Sequence, residues 1–351
     1  MKKKLNIMII WAMILSILIL FSGVSAAQTV ELSLADSTGT EGLRGKGVSI
    51  LVEEIEKHTD GQVKINVYWG ESLLKSAEIL DGVANGVVDM GYINANYYPN
   101  KLFLHSAFPL IPQAPISFEN KNWVYSQCLN EIPEIKAEMS AQNQKLIYLN
   151  GVLPMTICST KPMTSFDDLE GRKIRSSSRW ILALLKDFDA VPVSVPWGDC
   201  YMALQTGTID GVFTNLDGIH RTKLDEPAPH IFACKELWAA TPFMYTINMD
   251  RWDSLSIDIQ EGILAGCQAA VERFGEIYEQ EWDRVIAEQK EQGCTVTLAS
   301  EEEIAKWVNT PSLPELQQQW IQEAEEAGAE NAEEVFKQIQ DFVKQGIEKE
   351  Q

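Results

Sequence analysis

The sequence predicts an α/β protein of two similar lobes that share one long helix. Three observations predict it. Strand-like and helix-like apolar periods alternate from Val30 to Ile93. The alternation repeats from Leu146 to Phe213. A proline-free helical period then runs from Trp252 to Gln292. Alternating strands and helices in one chain segment are the signature of a largely parallel sheet covered by helices.

Val30 to Leu34 alternates as a strand, and Val48, Leu51, Val52 and Ile55 share one helix face that ends at Gly61. Val63, Ile65, Val67 and Trp69 alternate as the next strand. Ile79, Leu80, Val83 and Ala84 form another helical face, and Val87 to Ile93 reads as a strand. A second unit is expected to begin near Leu146, with a strand from Leu146 to Leu153. Turn-rich Pro162 to Gly171 leads into a short strand, Lys173-Ile174-Arg175. Helices are expected at Trp180 to Phe188 and Tyr201 to Gln205, with strands at Val191 to Val195 and Ile209 to Phe213. Phe243, Tyr245, Ile247 and Met249 alternate as a further strand. The period from Trp252 to Gln292 is far longer than the usual helix of about 11–12 residues. It lacks a heptad with flanking charges, so it reads as a strut shared by two lobes rather than a coiled coil. Ser300-Glu301-Glu302-Glu303 is a capping box, and residues 301 to 351, with 13 acids and 4 bases, read as amphipathic surface helices.

The chain has 351 residues, 50 acidic and 29 basic, for a formal net charge of -21. Phosphate contacts need clustered Lys and Arg, so this balance argues against nucleic acid and against anionic lipid. Hydrophobic residues make up 45%, enough for a core. Lys2, Lys3 and Lys4 precede an apolar run from Leu5 to Phe21 and then Gly23-Val24-Ser25-Ala26-Ala27-Gln28, the pattern of a secretory signal. Cleavage after Ala26 or Ala27 is expected, which places the mature chain outside the cytoplasm. The apolar run is short for a membrane span, and no later segment is apolar enough for one. Six cysteines are widely spaced with no CxxC. Their even number allows bridges, and buried free thiols fit equally well.

Two segments echo each other. Asn85-Gly86-Val87-Val88-Asp89-Met90-Gly91-Tyr92-Ile93-Asn94 parallels Thr206-Gly207-Thr208-Ile209-Asp210-Gly211-Val212-Phe213-Thr214-Asn215. In each, a helix ends at Gly, an Asp three residues on marks the turn into a strand, and an Asn ends the strand. Open α/β sheets bind ligands at the carboxyl ends of their strands, which is where both Asn residues fall.

Motifs for chemistry are missing. The four histidines make no HExxH and there is no GxSxG, so neither a zinc site nor a nucleophile–base pair is expected. Thr40 to Gly47 approaches a P-loop, but Thr40 and Gly47 break it; it reads as a Gly-rich loop entering a helix. No cofactor, no metal and no enzyme activity are expected. What remains is Gly171-Arg172-Lys173-Ile174-Arg175-Ser176-Ser177-Ser178-Arg179-Trp180, the densest basic patch in the acidic chain. Ser hydroxyls and free N–H groups at a helix start favour an anion, and Arg175 adds a planar fork for carboxylate or sulfonate.

With these residues in place, the sequence resembles the periplasmic substrate-binding proteins of TRAP transporters, the DctP type. The matching runs are Asp167 to Arg175, Pro196 to Gly211, Ala77 to Asp89, and Phe108-Pro109-Leu110. The resemblance covers essentially the whole mature chain. It implies a two-lobe periplasmic-binding-protein-like fold with a long helix spanning both lobes and C-terminal helices. Lobe 1 would hold residues 27–151 plus about 241–280, and lobe 2 residues 152–240 plus about 281–351. The lobes would close over a small organic anion and hand it to an ion-gradient-driven TRAP permease, the receptor itself being a monomer. A receptor serving a signalling partner, or a periplasmic enzyme, are the alternatives. The resemblance implies that Arg175 grips the ligand carboxylate and that Trp197 lies over the ligand. Thr214 or Asn215 would contact it, one of the two if alternation holds, and Asn94 would add a polar contact from lobe 1. Arg179 is a weaker second charge; Trp180 and Ser76 are further candidates, and Tyr97 and Tyr98 are candidate cleft aromatics. Sialic-acid-binding relatives carry a second arginine where this chain has Pro154-Met155-Thr156. That departure argues against sialic acid or a doubly anchored diacid and favours a small monoanion: a hydroxy or keto acid, or a sulfonate.

Overall fold

The computed structural model describes residues 29–237 and 241–350; the predicted signal segment, 1–26, lies outside them. The first alternation folds as expected into β1 (Val30–Ala35), α1 (Gly42–His58), β2 (Val63–Tyr68), α2 (Ile79–Ala84) and β3 (Met90–Ile93). β1 pairs in parallel with β2 and β3. The third strand starts three residues later than its apolar run. Gly86 takes a left-handed φ of 69° and Asp89 turns the chain, accepting from the Ser33 backbone N–H at 2.8 Å. The echo keeps this chemistry: Gly207 has φ 71°, and Asp210 accepts from the Lys173 N–H at 2.9 Å. In both places the turn ties its strand to the neighbouring strand through one carboxylate.

Helices α3 (Phe118–Glu131) and α4 (Pro133–Ala141) lead to β4 (Gln144–Asn150) and then β5 (Met155–Ser159). The strand expected to open the second unit instead closes the first sheet. β4 pairs antiparallel with the later strand β10 (Phe243–Asn248), giving the order β2-β1-β3-β10-β4. The second sheet begins at β5 and continues with β6 (Lys173–Arg175), β7 (Val191–Val193), β8 (Gly211–Asn215), β9 (His230–Ala233) and β11 (Thr295–Leu298), in the order β11-β9-β5-β8-β6-β7. Within it β6 runs parallel to β7 and β8, while β5 is antiparallel to β8 and β9. The chain therefore crosses between sheets three times, after Asn150, between Ala233 and Phe243, and between Asn248 and Thr295.

Short helices α5 (Arg179–Leu184), α6 (Cys200–Gln205), α7 (Leu216–Arg221) and α8 (Met249–Asp253) precede the long helix α9 (Ile257–Glu291). Ser256 caps α9, and its buried stripe runs Ile259, Ile263, Cys267, Ala270, Phe274, Tyr278, Trp282, Val285, the predicted period. It packs along α1 and β4 in one half, then on α7 and β11 in the other. The last helices are α10 (Glu301–Val308), α11 (Leu313–Glu326) and α12 (Ala332–Glu348). Trp307 of α10 is 2% exposed among Phe166, Phe188 and Phe213, which anchors the C-terminal segment to the second sheet. α12 does not stay there: it lies against α3, so the C-terminal part expected with lobe 2 ends on the first half. The six cysteines are all unpaired. Among the described residues no helix is long and apolar enough to cross a membrane, and no His/Cys/Asp/Glu group is placed to hold a metal ion.

Candidate functional site

The carboxyl ends of β1, β3, β6 and β8 face a common cleft of roughly 700 Å³, part of it open to solvent. Both sheets place their strand ends there, as the ligand rule for open α/β sheets requires.

The second sheet contributes the basic wall. Arg175 ends β6 and is 2% exposed. Its Nε donates to the Val195 carbonyl at 2.9 Å, which fixes the plane of the guanidinium. Ser176, Ser177 and Ser178 follow along the cleft; Ser178 caps α5 by accepting from the Ile181 N–H. The Trp197 ring lies 5.5 Å from the Arg175 guanidinium carbon and also lines the cleft. Burial raises the Tyr97 hydroxyl above its ordinary range, while Arg175 partly offsets that.

Thr214 and Asn215 both line the cleft. Alternation predicted only one, but β8 stops at Asn215 and the chain turns into α7, which brings both around the end. Thr214 donates to Asn215 Oδ1 at 3.2 Å, and the Asn215 amide donates to Asp217 Oδ1 at 2.8 Å. Asp217 Oδ1 also accepts from the Leu153 N–H at 2.9 Å, tying this corner to the first crossover. Burial raises the Asp217 carboxyl, opposed by these two donors.

From the first sheet, Asn94 ends β3 and caps the next turn by accepting from the Asn96 N–H at 3.1 Å. Asn96 donates to Thr241 Oγ1 at 2.7 Å, so this wall is tied to the second crossover. Tyr97 and Phe243 complete it.

Four predicted candidates lie elsewhere. Trp180 is 2% exposed and points into the core, its indole N–H donating to Ser106 Oγ at 3.2 Å. Arg179 leaves α5 on the outside, pairing with Glu323 and stacking 4.0 Å over the Trp180 ring. In a helix start, neighbouring residues face different sides, so the serines reach the cleft and Arg179 does not. Ser76 donates to Glu71, and its carbonyl accepts from the Tyr98 hydroxyl; neither it nor Tyr98 lines the cleft.

The structure adds two arginines that the sequence reading passed over. Arg44 sits in the Gly-rich segment read only as a loop entering a helix. It is buried, pairs with Asp36, donates to Ser37 Oγ at 2.8 Å and lies 3.8 Å over the Tyr92 ring. Burial opposes its charge, but Asp36 outweighs burial and holds Arg44 above its ordinary value. Arg221 ends α7, six residues beyond Asn215, in a stretch with no motif at all. Burial first, and then the like charge of Arg44, push it below its ordinary value. The second cationic source in the cleft is thus Arg44 with Arg221 rather than Arg179. The arrangement offers cationic and neutral donors around a half-enclosed space. It is suited to hold an anion reversibly.

Comparison with known proteins gives one consistent answer. The profile of the family described as bacterial extracellular solute-binding protein, family 7, matches residues 34–322. Among curated proteins, the ectoine-binding periplasmic protein TeaA of Halomonas elongata is 26% identical over 290 residues, 80% of each chain. The C4-dicarboxylate-binding periplasmic protein DctP of Rhodobacter capsulatus is 25% identical over 312 residues, 87% of this chain and 89% of that one. Among solved structures, a marine-metagenome TRAP solute-binding protein in complex with 3-hydroxybenzoate superposes with a TM-score of 0.79 at 22% identity, covering 91% and 99% of the two chains. At that identity the superposition speaks for the fold.

Proposed function

The chain belongs to the bacterial extracellular solute-binding proteins of family 7, and from that premise we propose that it is the extracytoplasmic receptor of a TRAP transporter, carrying a small organic anion to an ion-gradient-driven permease. The single observation that supports the anion most strongly is Arg175. A guanidinium 2% exposed, fixed by one backbone carbonyl and aimed at a half-enclosed cleft, has its remaining donors available for a carboxylate or sulfonate. Such a fork binds through two parallel hydrogen bonds, and each charge-assisted bond is worth about 1.5–3 kcal/mol.

In this reading Trp197 covers the ligand from the Arg175 side. Thr214, Asn215 and the Ser176–Ser178 hydroxyls supply directional donors and acceptors. Asn94, Tyr97 and Phe243 approach from the other sheet. Closure is a rigid-body approach of two lobes about the three crossovers, the third of which carries α9 along both halves. In this reading the lobe limits are those expected from sequence, except that α12, which packs on α3, goes with the first lobe. The protein acts as a carrier, not a catalyst. A cleaved signal at residues 1–26 delivers it to the periplasm, and the closed form presents its ligand to the membrane subunits as a monomer.

Calorimetric titration with small carboxylates and sulfonates tests the reading. Saturable one-to-one binding that is weakened at least tenfold by Arg175→Ala supports it. Unchanged affinity in a folded variant removes Arg175 from the site. Binding that persists when the acid is replaced by its neutral amide removes the anion.

A further inference from the structure

Arg221 is a mostly buried guanidinium in the cleft without a partner. Its Nε is buried and makes no hydrogen bond. Among the described residues no hydrogen bond or ion pair reaches the rest of the group. Arg44 is paired with Asp36 and Ser37, although its Nε too makes no hydrogen bond, and Arg175 is held by Val195. Arg221 differs from both in that neither a hydrogen bond nor an ion pair holds it among the described residues, although a buried charge without a partner is costly.

Its acidic neighbours are already engaged. On the outer side, Glu281 and Glu288 both bind Arg284, and Glu288 also meets His220 at 3.0 Å. Asp225 accepts from His220 at 2.9 Å and from Gln289 at 3.2 Å. Asp217 Oδ1 takes two donors within its own corner, and the carboxylate attracts Arg221 without a hydrogen bond to it. The Arg221 stem is pinned across the cleft: a Cβ added at Gly42, the start of α1, would lie 2.8 Å from Arg221 Cδ. Arg221 follows a strand of the second sheet and Gly42 one of the first, so the group bridges both halves where they meet.

We infer that Arg221 is a second anchor for the ligand, completing its hydrogen bonds on an uncharged acceptor at the end remote from the carboxylate held by Arg175. The acceptor is a hydroxyl, keto or amide oxygen, and its lack of charge follows from the local balance. Arg44, Arg175 and Arg221 face Asp36 and Asp217. Three guanidinium charges against two carboxylates leave a single positive charge, which one ligand carboxylate neutralises. A second full negative charge would leave the closed cleft with an excess. The inference rests on the proposed reading of the cleft as an anion site and adds which group the ligand carries at its other end.

The test uses two matched sets: butyrate, 4-hydroxybutyrate and succinate, and benzoate, 3-hydroxybenzoate and isophthalate. Each is titrated calorimetrically against the wild-type chain, Arg221→Met and Arg221→Lys. Methionine keeps the stem against Gly42 and removes the head; lysine keeps the charge without the fork. In the set whose skeleton fits, the hydroxy acid binds at least tenfold more tightly than the plain acid or the diacid. Arg221→Met reduces that preference to within threefold, and Arg221→Lys retains part of it. The ligand-free Met variant melts no lower than wild type, because it sheds an unpaired buried charge. A diacid that binds most tightly, a preference that survives Arg221→Met, failure of both hydroxy acids to bind, or a ligand-free Met variant that melts lower would each overturn the inference. Arg175→Lys, titrated with the same acids, reads the parent proposal separately: it weakens all members of a set alike.

Discussion

Truncating Arg175 is the perturbation whose size follows most directly from the structure. The side chain is 2% exposed, and its Nε donates to the Val195 carbonyl at 2.9 Å. Arg175→Ala removes both donors that a carboxylate would use. Two charge-assisted bonds at about 1.5–3 kcal/mol each set an upper limit near 6 kcal/mol. Ser176 to Ser178 remain in the cleft, and water can enter the space left behind, so about 3–4 kcal/mol is expected in the binding free energy. That is a loss of roughly 100- to 700-fold in Kd. Arg175→Lys keeps the charge and loses the planar pair, so its loss is expected to be smaller, about tenfold. The alanine variant also leaves the Val195 carbonyl short of a donor, with a cost to stability of about 1–3 kcal/mol. Urea unfolding therefore accompanies the titration. A folded Arg175→Ala protein whose Kd changes by less than threefold would refute the reasoning, because a fork at the binding centre cannot be removed without effect.

Three further outcomes follow from named contacts. Trp307→Ala empties a fully packed aromatic cluster with Phe166, Phe188 and Phe213; it should destabilise by about 3–5 kcal/mol in urea unfolding, and a loss under 1 kcal/mol would show that the C-terminal segment is not anchored there. Gly42 has φ 73° and a Cβ would meet Arg221 Cδ at 2.8 Å, so Gly42→Ala should cost about 1–2 kcal/mol from backbone conformation alone and should also weaken ligand binding; a neutral result on both counts contradicts the packing of Arg221 on α1. His220 is raised above its ordinary value, first by its hydrogen bond to Asp225 and then by Glu288. Its stabilising contribution is fully present below the ordinary histidine value and is lost as pH rises through the folded value; between about pH 5.5 and 8.5 the wild type should lose more stability than His220→Gln, and parallel curves would refute the pairing.

Much of the first half was legible because β1, β2 and α1 are half-buried, so their apolar residues mark one face and their period shows. β5 was not legible for the opposite reason: all five residues, Met155 to Ser159, are buried, and a strand buried on both faces has no alternation. Which sheet β4 joins was equally hidden, since its partner β10 lies almost a hundred residues away and local period carries no pairing information. At the cleft, Asn94, Thr214 and Asn215 were legible because strand ends are marked by the repeated Gly–Asp turn, and Arg175 and Trp197 came from the basic patch and the resemblance. Arg179 and Trp180 point away from the cleft, which one turn of helix decides, and Ser76 lies in a turn outside it. Arg44 and Arg221 were not legible because each is a lone base in an unremarkable stretch, brought to the cleft only by the meeting of two sheets.

In the proposed function this cleft holds a small organic anion by its charge. A thermal-shift screen of small carboxylates and sulfonates, each run beside its neutral amide, tests it most directly. A ligand that binds only the folded state adds about 2.7 kcal/mol of stability at a hundred times its Kd. The prediction is that at least one acid raises the melting temperature by several degrees in a saturable way, that its amide does not, and that Arg175→Ala abolishes the shift at the same concentration. An acid and its amide that stabilise equally, or a shift that survives Arg175→Ala, would contradict the claim.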